Sequence, residues 1–150
     1  MNALITELSK PQYAGLSDQQ AADAINAKTE TAEQLVPIWQ MKQHAITSEY
    51  WLALKTGQAD PVPSKAGLCI SVMDWISDVR MNSIDVHLPE VGAMIAGLVA
   101  FDIMTQQQAD ELVAMGSKIV SWTSTVGLPE VGIGLVINAR KEMAANEVQI

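Results

Sequence analysis

The chain has one cysteine, Cys69, and so cannot close an intramolecular disulfide. Its neighbours Leu68, Ile70 and Val72 are apolar, which reads as a buried, inert thiol, and nothing in the cysteine content points to an oxidising compartment. Histidine is almost as scarce. His44 and His87 lie in different segments, whereas a metal centre gathers several His, Cys, Asp or Glu ligands, so no metal or other cofactor is expected and both histidines read as surface residues. Asp85 beside His87 is too common a pairing to change that.

Positive charge is thin and dispersed. Nine Lys and Arg run from Lys10 to Lys141 without a cluster, which argues against binding nucleic acid through its phosphates. The seventeen Asp and Glu give a net charge of -8 but are also spread out. They read as a solubilising surface rather than the dense acidic face of a nucleic-acid mimic. The most apolar window, Val91 to Phe101, falls well short of the roughly 20 residues that cross a bilayer, so no membrane contact is expected. Met1-Asn2-Ala3-Leu4 reaches Glu7 without the basic start and apolar core of a signal peptide.

The motifs of common chemistries are missing too. There is no Gly-x-Ser-x-Gly elbow, Cys69 has no adjacent base, and no Walker sequence occurs. Gly132-Ile133-Gly134 lacks the third glycine and the preceding strand of a dinucleotide loop. Asp74 and Asp78 share a helix face at i, i+4 and read as its solvated side rather than an acid/base pair. The unit around Phe101-Asp102-Ile103-Met104 could be taken for a DNA-reading helix pair, but its second helix carries Gln106, Gln107, Asp110 and Glu111. No Arg or Lys lies between Arg80 and Lys118, so a plain helical hairpin is expected. No catalytic residue is assigned, and the chain is read as a non-enzyme.

What the chain has in quantity is apolar side chains, 49% against 17% charged. Either another chain covers part of that surface or the protein is a compact, alanine-rich helical domain. Eight Met and four Trp fit a core by default. Trp39 and Trp51, in the weakly patterned N-terminal half, are the expected contact residues.

Helical signals dominate. A short helix is expected over Asn2–Ser9, ended by Pro11, and another from Asp18 to about Ala27, opened by a Ser17/Gln20 capping box. Thr29 to Val36 has no clear pattern. Pro37 suits the first turn of a helix through Trp39, Met41 and Ala45, and Ser48–Lys55 reads as a further helix stopped at Gly57. The loop 57–64 separates an N-terminal from a C-terminal helical part of one domain, 1–150. Beyond it, Leu68, Val72, Trp75, Ile76 and Val79 mark one helical face. Thr105 caps a helix whose stripe runs through Leu112, Met115, Ile119 and Trp122, with a bend at Gly116-Ser117.

The string Leu88-Pro89-Glu90-Val91-Gly92 returns unchanged as Leu128-Pro129-Glu130-Val131-Gly132. Proline at a first helical position loses no hydrogen bond, and the following glutamate meets the positive end of the helix dipole. Both copies therefore predict helix entrances, for Pro89 to Ala100 and for a last helix from Glu130 or Gly132 to Ala145. The sequences diverge after the strings, which favours reuse of a good helix start over duplication. Together these signals predict an all-α, compact single-domain bundle of about six to eight short helices with no sheet.

The N-terminal words Glu7-Leu8, Pro11, Tyr13-Ala14-Gly15-Leu16-Ser17-Asp18 and Ala21-Ala22-Asp23-Ala24-Ile25-Asn26 resemble the start of a group of small proteins encoded by tailed bacteriophages. Ser121 to Gly127-Leu128, then Val136 and Ala139-Arg140, resemble their closing segment, although Trp122-Thr123-Ser124 stands where Arg-Ala-Glu often follows the serine. The resemblance implies a phage-encoded helical protein of undefined activity, and no functional residue follows from it. It leads to the expectation of a virion-associated structural or assembly protein, in the virion or the host cytoplasm. Its partners would be itself, as a homo-oligomer, and other phage particle proteins. The alternative is a non-virion phage protein that binds and modulates a host factor.

Overall fold

A computed structural model describes residues 1–148. The described residues are mostly helical, with nine α-helices, one 3-10 turn and four short strands in two two-stranded sheets. The sheet-free bundle expected from sequence is thus corrected: the protein is mainly α, with small sheets. Thr29-Glu30-Thr31-Ala32-Glu33 has no apolar stripe to bury as a helix, and its threonines suit the extended chain of β1 (Thr29–Glu33). Its partner β4 (Ser117–Ser121) carries Ile119 and Val120. The expected helix through Met115, Ile119 and Trp122 stops instead of bending. The Gly116 carbonyl accepts hydrogen bonds from the Gln34 N–H and from His87 Nε2, both at 2.8 Å, and so is engaged outside any helical ladder.

The chain packs as two compact units, Met1–Ala32 with Ile119–Ile150 in the first and Glu33–Lys118 in the second. The loop 57–64 falls inside the second unit.

In the first unit, α1 (Asn2–Leu8) and α2 (Asp18–Ala27) pack on α9 (Ile133–Glu147), with the short α8 (Trp122–Thr125) against α2. Leu4, Leu8, Tyr13, Ala21, Ile25, Trp122, Val131 and Val136 fill the core. The capping box at Ser17 forms as expected: Ser17 Oγ accepts from the Gln20 N–H at 3.2 Å, and Gln20 Oε1 accepts from the Ser17 N–H at 3.0 Å.

Charge is built into this unit. Glu7 is only 3% exposed and accepts from Lys10 Nζ at 2.6 Å, Lys28 Nζ at 2.8 Å and the Tyr13 hydroxyl at 2.9 Å. Burial pushes its carboxyl up, but the hydrogen bonds from Lys10, Lys28 and Tyr13 outweigh that and bring it down to about 2. Arg140 on α9 pairs with Asp18 at 2.6 Å and also donates to the carbonyls of Tyr13 and Leu16.

The second unit contains β2 (Val36–Pro37), α3 (Ile38–Thr47), α4 (Tyr50–Gly57), α5 (Pro63–Ser77), β3 (Ser83–Ile84), α6 (Pro89–Ala100) and α7 (Gln106–Ala114). β2 and β3 are antiparallel with Val36 opposite Ile84, both buried. The core gathers Met41, Leu54, Cys69, Val72, Ile76, Val91, Leu98 and Leu112. Gly57 and Cys69 bring α4 and α5 close, since a Cβ at Gly57 would lie 2.5 Å from the Cys69 sulfur. The expected stripe on α5 holds through Ile76 but not at Val79, which is 94% exposed. Asp78 ends the helix by accepting from the Arg80 N–H at 3.0 Å and pairing with its guanidinium.

The repeated string has two outcomes. Pro89 opens α6 as expected, with Leu88 as N-cap. Pro129 does not open α9, whose N-cap is Gly132. Asn26 holds this segment: its side chain accepts from the Val131 N–H at 2.8 Å and donates at 2.9 Å to the Val131 carbonyl, the acceptor that a helix begun at Pro129 would offer to the Leu135 N–H. Val91 and Val131 are nevertheless both buried, so the two strings share an apolar anchor and differ in backbone.

Candidate functional site

Pro37, the N-cap of α3, pairs with β3 and sets the start of a helix whose inner face buries Ile38, Met41 and Ala45. Residues 39, 42, 43 and 46 then lie on the other side. Trp39 is 66% exposed and Ile46 58%, and Leu52 on α4 is 68% exposed. Trp51 is half-buried against the core, with Lys42 Nζ 5.9 Å and Lys55 Nζ 6.0 Å from its ring centroid, at the outer limit of cation–π contact. Neither lysine forms an ion pair among the described residues. From Gln34 to Gln58 the single acid is Glu49. Trp39 and Trp51, the two expected contact residues, thus stand on neighbouring helices with Lys42 following on from one and reaching the other.

Glu49 makes the tight corner between α3 and α4 in the left-handed region, at φ 68°. Directly across that corner is a hydrogen-bonded chain that sequence reading missed. His44 Nδ1 and the Tyr50 hydroxyl are 2.8 Å apart, and His44 Nε2 and Glu111 Oε2 2.9 Å. Gln107 donates to the other Glu111 oxygen at 3.2 Å. His44 is buried rather than on the surface, a correction that follows from its place on the inner face of α3 beside Ala45. Burial raises the Tyr50 phenol, with the Glu111 charge adding to the effect, while the hydrogen bond from His44 lowers the Glu111 carboxyl. A neutral imidazole satisfies both ends, accepting from Tyr50 and donating to Glu111. The chain ties α3, α4 and α7 together, and the raised phenol keeps its proton, which it shares in the hydrogen bond with His44.

Two polar clefts complete the description. One, of about 300 Å³, adjoins Tyr50 in the second unit and includes Glu49, Thr105, Gln108 and Asp102, the last at φ 57°. The other, of about 420 Å³, lies in the first unit between α2 and the turn before α9 and is lined by Gln19, Asp23, Asn26, Glu130 and Ile133. Asp23 accepts from Gln19 at 2.7 Å, and neither Asp23 nor Glu130 has an ion-pair partner among the described residues.

The remaining candidates are placed as follows. Cys69 is fully buried, and burial pushes its thiol up. Asp78 is taken by Arg80, while Asp85 accepts from the His87 N–H at 2.9 Å in a local turn. Gly132 serves as the cap of α9. Among the described residues no group of three or more His, Cys, Asp or Glu is gathered as for a metal, and no helix is long and apolar enough to cross a membrane. Compared with known proteins, no family model, curated protein or solved structure matches the chain.

Proposed function

We propose that this chain is a bacteriophage structural or assembly protein, associated with the virion, that works through protein–protein contacts in an oligomer and has no catalytic role. The observation that carries the contact reading is the α3–α4 face, where Trp39 is 66% exposed, Ile46 58% and Leu52 68%, and where two lysines with no ion-pair partner among the described residues flank Trp51. Large exposed aromatics, tryptophan above all, are typical anchors of protein interfaces.

The phage reading is supported by the two matched ends of the sequence. The words Glu7-Leu8, Tyr13 to Asp18 and Ala139-Arg140 all belong to the first unit. Arg140 joins the closing segment to the opening one through Asp18, Tyr13 and Leu16. The residues that carry the resemblance therefore build one scaffold, while the unit bearing Trp39 and Trp51 lies outside it.

Mass spectrometry of purified particles tests the proposal, with the chain expected at a fixed stoichiometry to the other particle proteins. Its absence from intact particles would overturn the virion reading. Early expression together with that absence would favour the alternative, a phage protein that modulates a host factor.

A further inference from the structure

Two surfaces carry opposite charge with no ion-pair partner among the described residues. The α3–α4 face presents Lys42 and Lys55 around Trp51, next to exposed Trp39, in a chain whose net charge is -8. The first unit's cleft presents Asp23 and Glu130 around an apolar wall that includes Ile133, 42% exposed. One surface is aromatic and cationic, and the other is a cleft, partly apolar and acidic.

We infer that copies of this chain associate head to tail, the Trp39, Lys42, Trp51 and Lys55 face of one copy docking in the Asp23 and Glu130 cleft of the next. This rests on the oligomer reading above and names the surfaces that would carry it. Two arguments select this occupant. Packing the α3–α4 face on itself about a two-fold axis would put two cationic faces together, with Glu49 the single acid between Gln34 and Gln58, and like charges in an interface are disfavoured. Docking in the cleft instead pairs two free cations with two free carboxylates. The cleft is open to solvent and, at about 420 Å³, has room for an aromatic side chain. Its wall is also held in advance, because Asn26 fixes the Val131 backbone with two hydrogen bonds, which lowers the ordering cost of association.

Light scattering after size-exclusion chromatography, over a range of concentrations, tests the contact. The parent chain is expected to self-associate. The variant Lys42→Glu/Lys55→Glu puts acid against acid, and Asp23→Lys/Glu130→Lys puts cation against cation. Each alone should weaken association on the order of a hundredfold and run as a monomer. An equimolar mixture of the two should reassemble, because every contact in an alternating array is again between opposite charges. Circular dichroism checks that each variant keeps its helices. Should a charge variant fail to fold, the neutral Trp39→Gln is expected to weaken association about tenfold by removing the anchor.

A parent chain that stays monomeric at high concentration overturns the inference. So does an oligomer that neither charge variant disturbs, or a mixture that fails to reassemble; docking of a segment from another protein on either surface would then be the remaining use of that face. A monomeric parent chain also counts against the oligomer part of the function proposed above, whereas the charge-variant results bear on this contact alone and the mass spectrometry of virions decides separately whether the chain is in the particle.

Discussion

The unit built from the two ends of the chain and the unit inserted between them are held by different forces. The first buries a carboxylate, Glu7, and balances it with Lys10, Lys28 and Tyr13, and it fastens its last helix with the Arg140–Asp18 pair. The second packs a larger apolar cluster, and its Tyr50–His44–Glu111 chain places its carboxylate at the half-exposed end rather than in the core. Charged networks depend on pH and on solvent, whereas apolar packing depends on volume. The two units should therefore fail under different insults, and each substitution below is chosen to hurt one of them.

The largest effect is expected from Leu54→Ala in the second unit. Leu54 is fully buried, and its truncation should cost about 3 kcal/mol in denaturant unfolding. Faster hydrogen exchange should be confined to peptides from 33–118. Equal acceleration in peptides from 1–32 would show that the two units unfold as one.

Glu7 provides the reverse case. Its folded carboxyl is depressed from 4.5 to about 2, so its contribution is complete above pH 4.5 and is lost as the pH falls from there towards 2. The full shift corresponds to about 3 kcal/mol. Lys10 and Lys28 remain partly open to solvent, which reduces the expected figure to about 2 kcal/mol. Acid should release protection in 1–32 and 119–148 before 33–118, and Glu7→Gln should flatten the acid slope of the first unit. An unchanged slope in that variant would remove Glu7 as its origin.

His44→Phe should cost about 1–2 kcal/mol, because it leaves the buried Tyr50 hydroxyl without its partner. Combining it with Tyr50→Phe should recover part of the loss, which a double-mutant cycle reads directly. Simple additivity would mean that the pair is not coupled.

How much of this was legible in the sequence depended on the range of the interaction responsible. Asp18–Ala27 and Pro89–Ala100 form as their local signals predict, since caps, proline and apolar spacing act within a few residues. Pro129 carries the same local signal as Pro89 and loses to Asn26, which bonds Val131 from 105 residues away in the chain. β1 needed its partner β4, and a five-residue strand shows little when read alone. Composition and position single out Trp39 and Trp51 as expected contact residues. They do not single out the lysines around Trp51, because Lys42 reaches that ring from another helix. His44 looked like a surface residue because Glu111, 67 positions further on, supplies the partner that makes its burial tolerable.

The smallest expected effect is also the most even. Ser17 with Gln20 opens α2 in the first unit, and Thr105 with Gln108 opens α7 in the second, with the same pair of reciprocal bonds: 3.2 and 3.0 Å in one, 3.2 and 2.9 Å in the other. A capping box satisfies backbone N–H groups that no other part of the helix can reach, so its worth depends on the helix end and not on what lies behind it. Ser17→Ala and Thr105→Ala should each cost about 1 kcal/mol in denaturant unfolding, and Gly at either position less. The Gln108 side chain also donates to the Ser48 carbonyl at 2.7 Å, a link to the α3–α4 corner that Gln20 has no counterpart for. Thr105→Ala leaves that link in place, so a markedly larger loss there than for Ser17→Ala would mean that the cap holds Gln108 in position for the corner as well as for its own helix.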